Sequence, residues 1–262
     1  MVWMPCLVLA TRFMSLDWPS TLWLIRHGQS AGNVARDAAE ASGAALIDIA
    51  MRDADAPLSP LGERQAHALG QWFAAMSPAQ RPQSILTSPF LRSARTAQAI
   101  AEAMGLASEA LRVDERLREK EFGILDRFTT FGIKEKFPEL AAQRALVGKF
   151  YFRPPGGESW TDVLLRLRSV LDGLRRDEAG ARIAIVSHQV VVNCFRYLLE
   201  ALDEAAILSI DRESDVPNCG ITTYVANGSP HTMHRTDTNL TLPLEHTDTP
   251  ITVAKDQPAG PR

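Results

Sequence analysis

Cysteine is scarce in this chain of 262 residues, which contains only three. Cys6, Cys194 and Cys219 are far apart and follow no paired pattern, so the sequence indicates no disulfide framework. This usage favours a reducing compartment, and we expect a cytoplasmic protein. No apolar run approaches the roughly 18 residues that a membrane-spanning helix requires. We therefore expect no membrane partner.

A large excess of charge of one sign is also missing, since the net charge is only −3. This balance argues against nucleic acid or a membrane surface as a partner. The phosphate-loop pattern GxxxxGK[ST] is absent, which disfavours a nucleotide-driven transferase. His231 and His234 lie three residues apart without partnering cysteines, so we predict no metal site and no cofactor.

The length fits a single large domain, because no linker or repeat interrupts the central region. We place this domain at residues 21–226, after an N-terminal extension of residues 1–20 in which Met14 is an alternative start. Residues 227–262 are rich in Thr, Asp, Pro and His and show little periodicity. They predict a polar, weakly ordered tail that follows a last core strand at Ile221–Val225.

Apolar runs alternate with helical periodicities along the chain, which predicts an α/β fold. The predicted helices are Pro60–Met76 with Ser59 as N-cap, Pro89–Met104 with Ser88 as N-cap, Trp160–Leu174 and Val190–Leu202. Residues 124–153 form a mixed insertion that we expect to cap the site. Its basic residues either hold a second anionic group of a substrate or form a solvated face; they are Lys134, Lys136, Arg144, Lys149 and Arg153.

The stretch LIRHGQSAGN at residues 24–33 is the most informative part of the sequence. A buried strand predicted at Thr21–Ile25 leaves Arg26 and His27 at its carboxyl end, where open α/β sheets bind ligands. Imidazole is a good nucleophile toward phosphorus, and the guanidinium fork matches phosphate oxygens. Asn33 adds an amide donor, and Gly28 allows the backbone to approach an anion.

Two further segments supply groups of the same kind. Arg92 falls in the first turn of a predicted helix, and a helix N-terminus itself favours anions. The apolar run Ile183–Val186 ends shortly before His188, so that a second predicted strand delivers a histidine to the same edge of the sheet. His188 is then able to hold a phosphoryl oxygen opposite Arg26.

Cleavage of a phosphate monoester also needs a proton for the departing oxygen, which a carboxyl group can supply. The stretch LREKEFG offers Glu119 and Glu121, with Asp114 and Glu115 just upstream. Spacing alone does not choose among these four residues.

Taken together, these motifs resemble the histidine phosphatase, or phosphoglycerate mutase-like, superfamily over about residues 21 to 226. The shared segments are RHGQSAGN, LSPLGERQA, SPFLRSARTA, LREKEFG and VSHQ, in the order of that family. The resemblance implies a three-layer α/β/α fold with a mostly parallel central sheet. It also implies a small phosphorylated substrate and no cofactor, and it leaves a homodimer open.

The resemblance implies a role for each matching residue. His27 matches the nucleophile that becomes phosphorylated, while Arg26, Arg92 and His188 match the rest of the phosphate pocket. Asn33 and Gln189 match further phosphate- or substrate-binding positions. Glu119 falls on the general acid/base of the family, which is what selects it over Glu121; these assignments together imply a phosphatase that acts through a phosphohistidine.

The segment KFYFRPPGGES at residues 149–159 and the pair His188-Gln189 are similar to the fructose-2,6-bisphosphatase-like branch and to small mutase-like phosphatases. Asn193 and Thr130 depart from the sugar-bisphosphate pattern, so the substrate does not carry over. A phosphoglycerate mutase and a non-catalytic binding protein on the same fold are the alternatives. The catalytic set His27, Arg26, Arg92, Glu119 and His188 argues against the latter.

Overall fold

The computed structural model describes residues 17–226 and 232–253, and a six-stranded sheet organises them. The strands are β1 (Thr21–Arg26), β2 (Ser84–Thr87), β3 (Leu111–Val113), β4 (Arg182–Ser187), β5 (Ile221–Ala226) and β6 (Met233–Leu240). Their order in the sheet is β3-β2-β4-β1-β5-β6. The first four of these are parallel, β5 is antiparallel to β1, and β6 is antiparallel to β5. The predicted α/β fold with a mostly parallel sheet is confirmed.

Helices cover both faces of this sheet. They are α1 (Ala31–Ser42), α2 (Pro60–Ala75), α3 (Leu91–Met104), α4 (Thr130–Lys136), α5 (Pro138–Val147), α6 (Trp160–Asp177), α7 (Gln189–Leu199), α8 (Glu204–Glu213) and α9 (Leu242–Glu245). Within the described ranges, no helix is long and apolar enough to cross a membrane. Short 3₁₀ turns at Asp53–Asp55 and Gly123–Leu125 border the region described below.

Alternating side chains of β1 show how the three layers form, because successive residues of a strand point to opposite faces. Leu22 and Leu24 join a buried cluster with residues of α6, α7 and α8. Trp23 and Ile25 join a second buried cluster with residues of α2 and α3. The continuous apolar run of β1 therefore reflects burial on both faces, as expected for an interior strand of a parallel sheet.

The expectation of a weakly ordered tail after Ile221–Val225 is wrong for the described part of that segment. β6 pairs along β5, and α9 follows it and packs on α2. The sequence of β6, MHRTDTNL, is polar because half of its residues are exposed at the edge of the sheet and only Met233 is buried. Its polarity therefore gave no sign of a strand. The remainder of the tail, and the N-terminal extension up to residue 16, lie outside the described residues.

The predicted start of the helix after β2 also needs correction. Helix α3 begins at Leu91, and its N-cap position is Phe90, which makes no side-chain cap hydrogen bond. Ser88 instead lies two residues earlier and binds His188 through its hydroxyl. Ser59, by contrast, caps α2 as predicted, because its hydroxyl accepts a hydrogen bond from the backbone N–H of Gly62 at 3.0 Å. Helix α6 runs beyond Leu174 to Asp177, and α7 spans Gln189–Leu199 rather than Val190–Leu202.

Candidate active site

The two histidines lie side by side because β1 and β4 are parallel neighbours in register. Arg26 pairs with Ser187, so the next residue of each strand, His27 and His188, leaves the sheet at the same edge. The two ring centroids are 5.1 Å apart. The side chains are almost completely buried, at 3% and 0% exposure. The predicted meeting of the two strand-end histidines is therefore what the structure shows.

His27 is held with one ring nitrogen directed toward the cleft. Its Nδ1 lies 2.7 Å from the carbonyl oxygen of Gly28, which can only accept, so Nδ1 carries the proton. Nε2 is then the nitrogen with the lone pair, and it accepts a hydrogen bond from Nε of Arg92 at 3.1 Å. Burial, followed by the charges of Arg92 and Arg26, lowers the pKa of His27 well below 6.5. The ring is therefore neutral near pH 7 and able to act as a nucleophile.

His188 is neutral for similar reasons, since burial lowers its pKa first and the charge of Arg92 adds to this. Its Nε2 is 2.8 Å from Oγ of Ser88, and its Nδ1 has no hydrogen-bond partner among the described residues. Ser88 therefore orients this ring. The sequence did not indicate this role, because the Ser-Pro pattern suggested a helix N-cap instead.

Arg26 is fixed in place by one residue that follows β4 and one that precedes β5. Its Nη1 donates to Oε1 of Gln189 at 2.7 Å and to the carbonyl oxygen of Val216. Gln189 in turn donates from Nε2 to Oδ1 of Asp215 at 2.6 Å. Gln189, predicted as a substrate-binding residue, borders the cleft and orients Arg26. Asp215 was missed, because nothing in its surroundings in the sequence suggests a contact with Gln189.

Arg92 reaches the cleft from the first turn of α3, as predicted. Its Nη1 donates to the carbonyl oxygen of Asp53 at 2.5 Å, and its Nη2 donates to Oδ2 of Asp53 at 2.9 Å. Sequence reasoning missed Asp53, which lies among several acidic residues in a region without a recognisable motif.

Asn33 borders the cleft but is also part of the capping box of α1. Its Oδ1 accepts a hydrogen bond from the backbone N–H of Ser30 at 3.0 Å, and Ser30 Oγ accepts from its N–H in return. Asn218 was not predicted; it is fully buried and donates from Nδ2 to the carbonyl oxygen of His27 at 3.0 Å. Oγ1 of Thr252 donates to Asn218, which links the C-terminal segment to the backbone of the nucleophile.

The structure separates the two candidate acids. Glu119 lines the cleft together with His27 and Arg92, and its Oε1 accepts a hydrogen bond from the N–H of Lys120 at 2.8 Å. Glu121 is exposed and pairs with Arg118 at 3.7 Å. Partial burial raises the pKa of Glu121, but the position of Glu119 favours it as the acid for a group bound at His27.

The cleft has a volume of about 780 Å³, including its open mouth. Its walls combine Ile47 and Ile49 from the α1–α2 connection with Phe122, Asp126 and Arg127 from the segment that includes the insertion. Asp126 and Arg127 are the residues of the range 124–153 that line the cleft, and the capping role of this insertion stays a prediction.

Besides Arg26 and Arg92, the cationic side chains that line the cleft are Arg36 and Arg127, and none of the five basic residues considered in the sequence is among them. Lys149 is buried against Asp211 at 2.6 Å, and Arg153 pairs with Asp162. Lys134 and Lys136 are exposed, and Arg144 borders a neighbouring cavity of about 450 Å³. Of the two alternatives stated for these residues, the solvated face agrees with the exposure of Lys134, Lys136 and Arg153, and none of the five lines the cleft. Composition shows which charges a segment carries but not which of them are paired.

Gly28 serves a different purpose from the predicted approach to an anion. A Cβ at Gly28 would lie 2.6 Å from the carbonyl oxygen of Gly62, so the missing side chain allows α2 to pack against the loop after β1. Among the described residues, no group of three or more His, Cys, Asp or Glu side chains is arranged to hold a metal ion. His231 lies outside those residues.

Comparison with known proteins supports the resemblance seen in the sequence. Residues 22–238 match the model of the histidine phosphatase superfamily, branch 1. A probable phosphoglycerate mutase GpmB of Yersinia enterocolitica is 31% identical over 211 residues, which cover 80% of this chain and 86% of that protein.

Two solved structures share the fold. A mycobacterial glucosyl-3-phosphoglycerate phosphatase superposes with a TM-score of 0.65 at 25% identity, covering 84% of this chain and 98% of that one. A putative alpha-ribazole-5'-P phosphatase of Escherichia coli has a TM-score of 0.68 at 19% identity, with 85% and 97% coverage. The second likeness concerns the fold alone.

Proposed function

Because this chain belongs to the histidine phosphatase superfamily, we propose that it is a phosphatase that hydrolyses a small phosphorylated metabolite through a phosphohistidine. The observation that carries this proposal is the state of His27. Its ring is neutral, its Nδ1 is fixed by the carbonyl oxygen of Gly28, and its Nε2 faces the cleft beside Arg92.

In the first step, Nε2 of His27 attacks phosphorus in line with the departing oxygen. The bond between phosphorus and that oxygen breaks, and the electron pair leaves with the oxygen, which takes a proton from Glu119. Arg26, Arg92 and His188 hold the remaining oxygens of the phosphoryl group, over which the charge is spread in the transition state.

In the second step, Glu119 is a carboxylate and removes a proton from water. The resulting nucleophile attacks the phosphohistidine, the bond between phosphorus and nitrogen breaks, and inorganic phosphate forms while His27 returns to its neutral state. Asn33 is proposed to contact the phosphoryl group as well, since it borders the same cleft.

The part of the substrate beyond the phosphoryl group extends toward Arg36 and Arg127, which line the cleft. Asp126 and Asp53 lie on the same walls, so charges of both signs surround that part. This mixture favours a polar substrate over a purely apolar one.

A phosphoglycerate mutase is the second candidate, favoured by the likeness to a probable mutase. A mutase and a phosphatase share the phosphohistidine and differ in what accepts the phosphoryl group. A panel of sugar phosphates, phosphoglycerates and a chromogenic aryl phosphate separates them, when phosphate release and mutase activity are measured in parallel.

Replacement of the nucleophile tests the proposal directly. His27→Ala is expected to lower turnover by about 10⁴-fold or more, because no other group can form the intermediate. Rapid quench with a labelled substrate should show an acid-labile, base-stable phosphoenzyme in the wild type and none in the variant.

The matched control is His67→Ala, which removes an exposed histidine of α2 that contacts Gln71. This variant should keep wild-type turnover. A His27→Ala protein that still formed the phosphoenzyme would contradict the assignment of the nucleophile.

A further inference from the structure

Arg92 has each of its three guanidinium nitrogens engaged by the protein in this structure. Nε donates to His27, Nη1 donates to the carbonyl oxygen of Asp53, and Nη2 donates to the carboxylate of Asp53. The side chain of Arg92 is 6% exposed, whereas that of Asp53 is 43% exposed. The pair therefore consists of a buried cation and an anion that faces the cleft.

Asp53 begins a short 3₁₀ turn, Asp53–Asp55, which packs against α3 and forms part of the wall of the cleft. Its backbone carbonyl and its carboxylate contact the same guanidinium, so the turn and Arg92 fix each other. A phosphoryl group bound at Nε2 of His27 would need donors of this same guanidinium. Two anions, the phosphoryl group and the Asp53 carboxylate, would then share one cation.

We propose that Asp53 is a positioning residue that competes with phosphate for Arg92. Asp53 holds Arg92 against Nε2 of His27. When a phosphoryl group binds there, the charge of Asp53 opposes it and favours release of inorganic phosphate. This inference rests on the proposed function, because it requires phosphate to bind beside His27.

The test compares the binding of inorganic phosphate and of orthovanadate to the wild type and to Asp53→Asn by isothermal titration calorimetry. Asparagine keeps the size of the side chain, an oxygen acceptor and the backbone carbonyl contact, but it removes the charge. The substitution removes a unit charge that lies a few ångströms from the bound anion and is partly screened by solvent. We therefore expect the Kd of both anions to fall about tenfold. The inhibition constant of phosphate against turnover should fall by the same factor.

Asp55→Asn is the matched control, because Asp55 belongs to the same turn but pairs with the exposed Arg52 at 2.7 Å. Its Kd for both anions should equal that of the wild type. Asp53→Ser serves as a second variant, with circular dichroism to compare folding, and it too should bind phosphate more tightly than the wild type.

An Asp53→Asn protein with unchanged affinity would overturn the proposal. Weaker binding would overturn it as well, because Asp53 would then act only by orienting Arg92 for phosphate. If the wild type bound neither anion, that result would contradict both the proposed function and this inference. If the wild type bound both anions and the variants bound them no more tightly, that result would contradict this inference alone.

Discussion

Glu119 and Glu121 are separated by one residue, yet they lie in different surroundings. Glu119 lines the cleft, whereas Glu121 is exposed and lies 3.7 Å from Arg118. Desolvation of the Glu121 carboxyl raises its pKa and the charge of Arg118 opposes this shift, so its pKa alone does not make it the catalytic acid. An acid must also reach the departing oxygen.

The contribution of an acid is largest when the leaving group is poor. Glu119→Gln is therefore expected to slow hydrolysis of an alkyl phosphate by about 10²-fold or more. The same change should slow phosphorylation of the enzyme by an activated aryl phosphate far less. Single-turnover rates with both substrates measure this difference.

Glu121→Gln is the matched control and should leave both rates within about twofold of the wild type, as for an exposed charge. The reverse pattern, with Glu121→Gln impaired on the alkyl substrate, would show that Glu121 is the acid.

At the level of single residues, the sequence indicated the side chains that share a motif with the family. Arg26, His27, Asn33, Arg92, Glu119 and Gln189 line one cleft, and His188 is fully buried beside His27. It did not indicate Asp53, Asp215 or Asn218, which contact the cationic and nucleophilic residues from distant parts of the chain. Short polar residues of this kind occur in many loops, and only the folded chain shows which of them face the site.

The elements that carry the site meet at two glycines. A Cβ on Gly62 would lie 1.9 Å from the carbonyl oxygen of Gln29, and one on Gly28 would lie 2.6 Å from the carbonyl oxygen of Gly62. The start of α2 and the loop that bears the nucleophile therefore approach each other more closely than any side chain permits. This contact places the loop after β1 with respect to the sheet.

Gly62→Ala is expected to lower the free energy of unfolding by about 2–4 kcal/mol, because backbone must move to make room for the methyl group. Displacement of the loop after His27 should lower turnover as well. Urea-induced unfolding and steady-state kinetics measure the two effects.

Gly173→Ala is the matched control in helix α6, where a Cβ meets no atom within 4 Å. It should raise the free energy of unfolding by up to about 1 kcal/mol, the difference in helix propensity. Equal effects of the two substitutions would contradict the packing argument.

Strands and helices with a clear apolar pattern were predicted well, because burial on one or both faces leaves that pattern in the sequence. β1 and α6 are examples. β6 was missed, since an exposed edge strand needs few apolar residues. The N-cap at Ser88 was misassigned because the Ser-Pro pattern fits two structures, a cap and a loop that turns a serine toward His188.

On the scale of the whole molecule, the two buried histidines of the site make the free energy of unfolding depend on pH. The pKa values of His27 and His188 are both depressed in the folded protein, so the unfolded chain binds protons more readily near pH 6.5. The free energy of unfolding should therefore fall as the pH drops below about 6.5, by up to about 1.4 kcal/mol per pH unit for each histidine. Above about pH 6.5, the two histidines should make the free energy of unfolding change little with pH.

Urea-induced unfolding at about pH 7.5, 6.5 and 5.5 checks this expectation. His27→Gln should reduce the slope between the two lower values, because one of the two depressed groups is gone. A stability that rose on acidification through this range would contradict the assigned direction of both shifts.

The parallel pairing of β1 with β4 determines how far apart the two histidines of the site lie. Adjacent strands lie about 4.8 Å apart, and the rings of His27 and His188, one residue beyond the paired Arg26 and Ser187, are 5.1 Å apart. The separation of the two rings is thus close to the distance between the neighbouring strands that carry them, and the pairing of β1 with β4 brings the two histidines together. Side chains of the connections that line the cleft, such as Ile49 and Arg127, can therefore be replaced without changing the backbone pairing that holds the two histidines next to each other.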